Sequence, residues 1–260
     1  TSASRNNRLA HLINSWRLTT LMSCLGLDIG GANLKAADGR GWAQSVPFPL
    51  WRQPENLADA LAALIVSSPS CEQFAVTMTG ELCDCYATKA DGVRRILSTV
   101  EHATTGRMVS VYLVDGRFVP VDQARNLTAL AAASNWHALA SFACRYVPNG
   151  TGLLIDVGST TTDIVPLVGG RVASTSLGDL DRLAKGELVY TGVRRTPICA
   201  ITQHLPWQGK LCPVAAELFA TSADAYLLLG ELEEEPPAGW PADGKPFTVE
   251  HSRQRLARMF

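Results

Sequence analysis

Two short stretches with the same punctuation constrain this chain more than anything else in it. Leu25 to Ala37 reads LGLDIGGANLKAA, and Leu153 to Leu167 reads LLIDVGSTTTDIVPL. In each, an apolar run reaches an aspartate, a turn of small residues follows, and the chain re-enters a β-type run. Strand, tight turn and returning strand predict a hairpin, and the two aspartates stand 128 positions apart (156 − 28). A hairpin tip rich in backbone N–H groups and hydroxyls suits phosphate oxygens, so one such tip per half predicts two anion-binding turns. The expected phosphate contacts are Gly30, Gly31 and Asn33 in the first tip and Gly158, Ser159, Thr160 and Thr161 in the second. Asp28, Asp156 and Asp163 flank them as carboxylates able to hold a metal such as Mg²⁺.

The glycines do not make a dinucleotide site. G-x-G-x-x-G is absent, and each turn leads into a strand instead of a helix. A P-loop is excluded as well, because no G-x-x-x-x-G-K-[ST] occurs. With 260 residues, 47% hydrophobic and 18% charged, the chain has the composition of an ordinary globular protein with one large or two modest domains. A formal net charge of −1 gives no electrostatic case for nucleic acid or an anionic membrane, and no apolar run approaches the roughly 20 residues that span a bilayer. Seven scattered cysteines fit a reduced, cytoplasmic protein better than a disulfide framework. Cys83 and Cys85 form a lone C-x-C, expected to be buried small hydrophobes since no second pair completes a zinc site.

Residues 1–21 hold three arginines and no acid ahead of Met22, and read as an extension. From there the pattern predicts an α/β fold. A helix opens at Pro54 with Leu57, Leu61, Leu64 and Ile65 on one face; Phe74 to Met78 is a buried strand, Tyr86 to Val100 a helix, and Val109 to Val119 a hairpin. An Ala-rich helical stretch over 126–146 is interrupted near Asn135, and Pro148-Asn149-Gly150 marks the boundary between domains 22–149 and 150–260. In the second half, Arg171 to Ser176 extends the sheet, Leu180 to Lys185 is a helical turn, and Glu187 to Tyr190 is strand-like. Ala223 to Leu229 is a helix, 231–246 a surface loop, and an Arg-rich amphipathic helix reaches Phe260, after which a further segment is expected.

Candidate site residues lie at strand ends and in polar loops. Thr79 and Glu81 follow the buried strand, where α/β folds bind ligands, and Glu81 is the candidate general base. Lys35, two positions past Asn33, shares its face and reaches toward a phosphate. Arg194, Arg195 and Thr196 stand in a polar loop suited to a diphosphate or a carboxylate, and Asn135 is placed to line a substrate ring. None of the five histidines falls in a motif.

The paired D-x-G-G-x-N-x-K and D-x-G-S-T-T-T-D signatures resemble those of the sugar kinase, heat-shock chaperone and actin superfamily. Three further stretches, CLGLDIGGANLKAAD, VTMTGELCDCY and GELVYTGVRRTPICA, are similar to one branch of the hydantoinase/oxoprolinase family, associated with tetrahydromethanopterin-linked one-carbon metabolism and methanofuran biosynthesis. That resemblance implies two ribonuclease H-like domains and an ether-forming transferase. In it the phenol of a (glutamyl)tyramine displaces diphosphate from an aminomethylfuran-methyl diphosphate. It implies Mg²⁺, small-molecule diphosphate and phenolic amine substrates, and a cytoplasmic enzyme compatible with a homo-oligomer. The wider superfamily leaves two other readings: an ATP-dependent hydrolase or kinase, and a non-catalytic actin-like scaffold.

Overall fold

The computed structural model describes residues 23–235 and 240–260; the extension expected over 1–21 lies outside the described residues. The chain is mixed α/β and divides into two compact units, one reaching to Arg145 and the other running from Tyr146 to Phe260.

The first unit is built on a six-stranded sheet in the order β3-β2-β1-β4-β5-β6. Strand β1 (Cys24–Ile29) pairs antiparallel with β2 (Asn33–Ala37), which pairs antiparallel with β3 (Ala43–Pro47). On its other side β1 runs parallel to β4 (Gln73–Met78), which is parallel to β5 (Met108–Tyr112), and β6 (Phe118–Pro120) closes the edge antiparallel. Period-two alternation buries Leu25, Leu27 and Ile29 in β1 and Phe74, Val76 and Met78 in β4. They meet Leu57, Leu61, Leu64 and Ile65 of helix α1 (Leu57–Ser67) and Val93, Ile96, Leu97 and Val100 of α2 (Lys89–Thr104) in one core.

Helix α2 begins three residues later than its apolar pattern suggests. The Thr88 hydroxyl accepts the Asp91 N–H at 3.1 Å and fixes the N-cap there, and Thr105 at φ 52° ends the last turn. The Ala-rich stretch also resolves into parts. A single helical turn over Thr128–Ala131 stops where Ala133 takes φ 47°, and α3 (Asn135–Ala143) starts two residues on.

The second unit has a four-stranded sheet of β7 (Thr151–Val157), β8 (Thr162–Val168), β9 (Arg171–Val172) and β10 (Leu188–Val189), in the order β10-β8-β7 with β9 beside β8. The extension expected to Ser176 stops at Val172: Ser176 is buried, and its N–H binds the Ser174 hydroxyl at 3.1 Å instead of a strand. Helix α4 (Asp179–Lys185) leads to β10. A separate hairpin, β11 (His204–Trp207) with β12 (Lys210–Pro213), turns at Gln208 and Gly209, both left-handed.

Helices α5 (Ser222–Leu229) and α6 (Val249–Ala257) pack against each other around ions as well as apolar groups. Arg255 is fully buried and donates to Asp224 Oδ1 at 2.8 Å, Asp243 Oδ1 at 3.0 Å and Ser252 Oγ at 3.0 Å. The stretch 231–246, expected to be a surface loop, is tied down at both described ends: Glu235 bridges to Phe247, and the Trp240 ring lies 4.7 Å from that of Phe247.

All seven cysteines are free thiols, and Cys85 is exposed, against the expectation of burial. No helix among the described residues is long and apolar enough to cross a membrane.

Candidate functional site

Both expected tips form, one in each unit. In the second, the β7–β8 ladder ends at the Val157–Thr162 pair, and the Gly158 N–H donates to Thr161 O at 2.8 Å to close the turn over Gly158–Thr161. Ser159 and Thr160 carry their hydroxyls 3.5 Å apart at its head.

The polar loop 191–197 holds this tip from behind. Val193 N–H donates to Gly158 O at 3.0 Å, and the Arg194 and Arg195 N–H groups both donate to Ser159 O, at 3.0 and 2.8 Å. The Thr162 hydroxyl donates to Thr191 O at 2.6 Å. Between these bonds Gly192 lies flat against the tip: a Cβ there would stand 2.6 Å from Thr160 N and 2.7 Å from Gly158 O. Only glycine fits so close a backbone approach. The Gly158 and Ser159 carbonyls are thus consumed by the loop, and the Ser-Thr-Thr hydroxyls form the polar head of the tip.

Thr196 is committed to the loop. It is buried, and its hydroxyl accepts the Gly192 N–H at 2.8 Å, while Ser222 Oγ donates to Gly192 O at 2.9 Å. Arg194 is likewise committed, through a two-pronged pair with Glu235 at 2.6 and 3.0 Å and a position 5.6 Å from the Trp240 ring centre, whose indole N–H also binds Glu235. Arg195 is exposed beside it. The Arg194 hydrogen bonds hold the Glu235 carboxyl below its ordinary value. The tie is therefore fully present above the unfolded value of about 4.3 and is lost as pH falls through the lower folded one. Trp240 fluorescence is expected to change in acid below about pH 4 in the parent, and Glu235→Gln to abolish that transition; an unchanged acid transition in the variant would rule the linkage out.

Asp156 and Asp163 are cross-strand neighbours at the base of the tip. Asp163 is not an open metal ligand: Arg182, itself buried, reaches its Oδ1 at 2.7 Å and also binds Glu187 O at 3.0 Å. Burial pushes the Asp163 carboxyl up, with Arg182 opposing the shift. Asp156 is left as the carboxylate beside the tip. No group of three or more His, Cys, Asp or Glu able to hold a metal occurs among the described residues. A Mg²⁺ bound through one carboxylate and phosphate oxygens needs no such group.

The first tip repeats the design. Gly30 N–H donates to Asn33 O at 3.0 Å, and Thr79 N–H donates to Ile29 O at 3.0 Å. Gly80 lies against the tip, where a Cβ would stand 3.2 Å from Ile29 O and 3.4 Å from Gly30 O. Gly31 is equally confined, by Cys83 Sγ at 2.8 Å from its would-be Cβ. A Thr-Gly dipeptide thus backs each tip, a repeat present in the sequence that the hairpin pattern alone does not flag.

Glu81, the expected base, is 1% exposed, and its Oε1 accepts the Ala133 N–H at 2.8 Å. It anchors the loop to the entry of α3, where Asn135 begins the helix, and is a positioning residue. Lys35 is exposed and pairs with Asp28 at 3.3 Å; Asp28 also accepts from Thr77 Oγ1 at 3.3 Å. One histidine does join a polar cluster: His137 Nδ1 lies 2.8 Å from Tyr112 Oη, which is 3.0 Å from Ser141 Oγ.

The chain is similar to several known proteins. A family model described as Hydantoinase/oxoprolinase matches residues 72–258. A (4-{4-[2-(gamma-L-glutamylamino)ethyl]phenoxymethyl}furan-2-yl)methanamine synthase of Methanocaldococcus jannaschii is 36% identical over 238 residues, 90% of this chain and 70% of that protein. The synthase of the same name from Methanococcus vannielii is 36% identical over 107 residues, 41% of this chain and 48% of its own length. Among solved structures, a Ppx/GppA phosphatase of Aquifex aeolicus matches 66% of this chain and 53% of its own at 14% identity, with a TM-score of 0.36.

Proposed function

The chain belongs to the hydantoinase/oxoprolinase family, and from that premise we propose that it is a biosynthetic transferase of the methanofuran type, serving tetrahydromethanopterin-linked one-carbon metabolism. The product named for the relatives contains an aryl–O–CH₂–furan ether. In the proposed reaction, a phenol oxygen bonds to the furan-methyl carbon as the bond from that carbon to diphosphate breaks. The phenol gives up its proton, and diphosphate leaves with the electron pair.

Leaving-group departure builds negative charge, which oriented donors in a fixed geometry stabilise. The observation that carries the reading is the second tip: Ser159, Thr160 and Thr161 are presented on a turn whose Gly158 and Ser159 carbonyls are tied off by the 193–195 amides. Such a head offers donors to an anion and turns few acceptors toward it. Asp156 would hold Mg²⁺, which would supply charge neutralisation of the diphosphate. Arg195 adds a cation on the same loop. The order β3-β2-β1-β4-β5, with two antiparallel and two parallel pairings, supports a ribonuclease H-like first unit of the actin and sugar kinase type.

Incubating the protein with aminomethylfuran-methyl diphosphate, glutamyltyramine and Mg²⁺ should yield the ether and diphosphate in equal amounts. Asp156→Asn should lower kcat by about 100-fold, while Asp122→Asn, on an exposed helical turn, should leave it within a factor of about two. No diphosphate from authentic substrates would end this reading, and phosphate released from ATP in their place would support the ATP-dependent alternative.

A further inference from the structure

The loop that backs the second tip brings with it one large side chain that neither the core nor the tip uses. Strand β10 ends on Val189, which pairs with Thr162 at the first rung of β8. Two positions on, Thr191 O accepts the Thr162 hydroxyl at 2.6 Å, and the next residue is Gly192, pressed against the backbone of the tip. Tyr190 falls between these contacts, so its backbone is pinned beside the Ser159–Thr161 turn. Its side chain is 53% exposed and makes no ring contact or hydrogen bond among the described residues.

The first unit provides the comparison. There too a Thr-Gly pair backs a tip, and the residue ahead of the pair is Met78, the buried end of β4. Met78 is held by the core, as a large apolar side chain should be. Tyr190 occupies the same place ahead of its own Thr-Gly pair but stands in water. It is also the only aromatic residue between Tyr146 and Trp207. A single exposed tyrosine is ordinary on a protein surface. This one is fixed at the edge of the polar head, where a ligand held by the Ser-Thr-Thr hydroxyls would extend.

We propose that Tyr190 is a substrate-contact residue whose ring stacks on the furan of the diphosphate substrate. This rests on the reading of the second tip as the diphosphate seat. The furan stands one methylene from the leaving diphosphate, so seating the anion on the tip brings the ring close to it. Neighbouring strands run about 4.8 Å apart, and aromatic rings interact at about 4.5–7 Å between centres. The furan therefore comes within stacking reach of Tyr190. As the carbon–oxygen bond breaks, the methylene carbon gains positive charge that it shares with the furan, and the face of a tyrosine ring attracts such charge. Tyr190 forms no bond in the step, and the electron pair leaves with diphosphate. A saturated alkyl diphosphate has no ring to stack, so Tyr190 sets a preference for aryl-methyl esters.

Calorimetry with Mg²⁺ present would compare aminomethylfuran-methyl diphosphate with inorganic diphosphate on the parent, Tyr190→Leu and Tyr190→Phe. Tyr190 is mostly exposed, so both variants should fold as the parent does. In Tyr190→Leu the preference for the ester over inorganic diphosphate should fall about tenfold, equivalent to about 1.4 kcal/mol. Tyr190→Phe keeps the ring and should restore most of that preference. An unchanged preference in Tyr190→Leu would overturn the proposal. Equal weakening of both compounds would make Tyr190 a prop for the tip and overturn it as well. A parent that binds the ester but forms no ether would refute the transferase reading, while a tenfold fall in Tyr190→Leu would still support the contact. A parent that binds neither compound has no diphosphate seat, and the proposal would fall with it.

Discussion

Gly192→Ala is expected to remove essentially all anion-dependent activity while leaving the secondary structure in place. The added methyl would meet Thr160 N, Gly158 O and the Ser159 carbonyl carbon at 2.6 to 2.7 Å, and all three are backbone atoms of the tip. No side-chain rotation relieves such a contact, so the loop and the tip must part. Overpacking of this kind costs about 1–3 kcal/mol of stability. The functional loss should be larger, because a displacement of about 1 Å in a positioning element costs on the order of 100-fold in rate. Ether formation and a thermal melt measure the two effects. Gly26→Ala is the comparison, since a Cβ there meets Ala37 O at an ordinary 3.5 Å. If Gly192→Ala turned over like the parent, the tip would not be the seat of the anion.

Arg255→Ala should be the most destabilising single change in the second unit. The guanidinium is wholly buried, and Asp224, its closest partner, is 2% exposed. Removing one partner leaves a buried charge without compensation, a loss of about 3–5 kcal/mol. Asp224 also closes the α5 capping box by accepting the Thr221 N–H at 2.9 Å, so the helix start loosens along with the pair. Urea unfolding should show the second unit melting at clearly lower concentration. Arg255→Met combined with Asp224→Leu should recover part of the loss, since an apolar replacement leaves no orphan charge. A midpoint for Arg255→Ala within about 1 kcal/mol of the parent would refute the ion network as a structural support.

What the sequence made legible was whatever repeats locally. Both hairpins, the α1 stripe and the buried β4 run are patterns within a dozen residues, and they form where the residues suggest. The side-chain commitments are not local. Arg194 meets Glu235 across 41 positions, Asp224 meets Arg255 across 31, and Arg182 meets Asp163 across 19. Each arginine in isolation reads as a solvated or ligand-binding cation, and only the fold shows which are already paired. Glu81 follows the same rule: its partner, the Ala133 amide, lies 52 positions away. The hairpin of β11 and β12 went unread because its Gln-Gly turn is flanked by too little alternation, with Pro206 and Pro213 inside the strands.

The backing of each tip by a Thr-Gly loop also sets an order of assembly. A hairpin such as β7–β8 is local and closes within about 1–10 microseconds. The proposed anion seat is not local, because the Val193, Arg194 and Arg195 amides must arrive before the Gly158 and Ser159 carbonyls are tied off. A nascent chain that has emerged only as far as β10 therefore owns the hairpin but not the seat, and its tip presents carbonyl oxygens that repel a phosphate. On the proposed function, anion affinity is acquired late in synthesis, after α4 and β10 have carried the loop around. The turn that looks most self-sufficient in the sequence is the one whose chemistry is finished last.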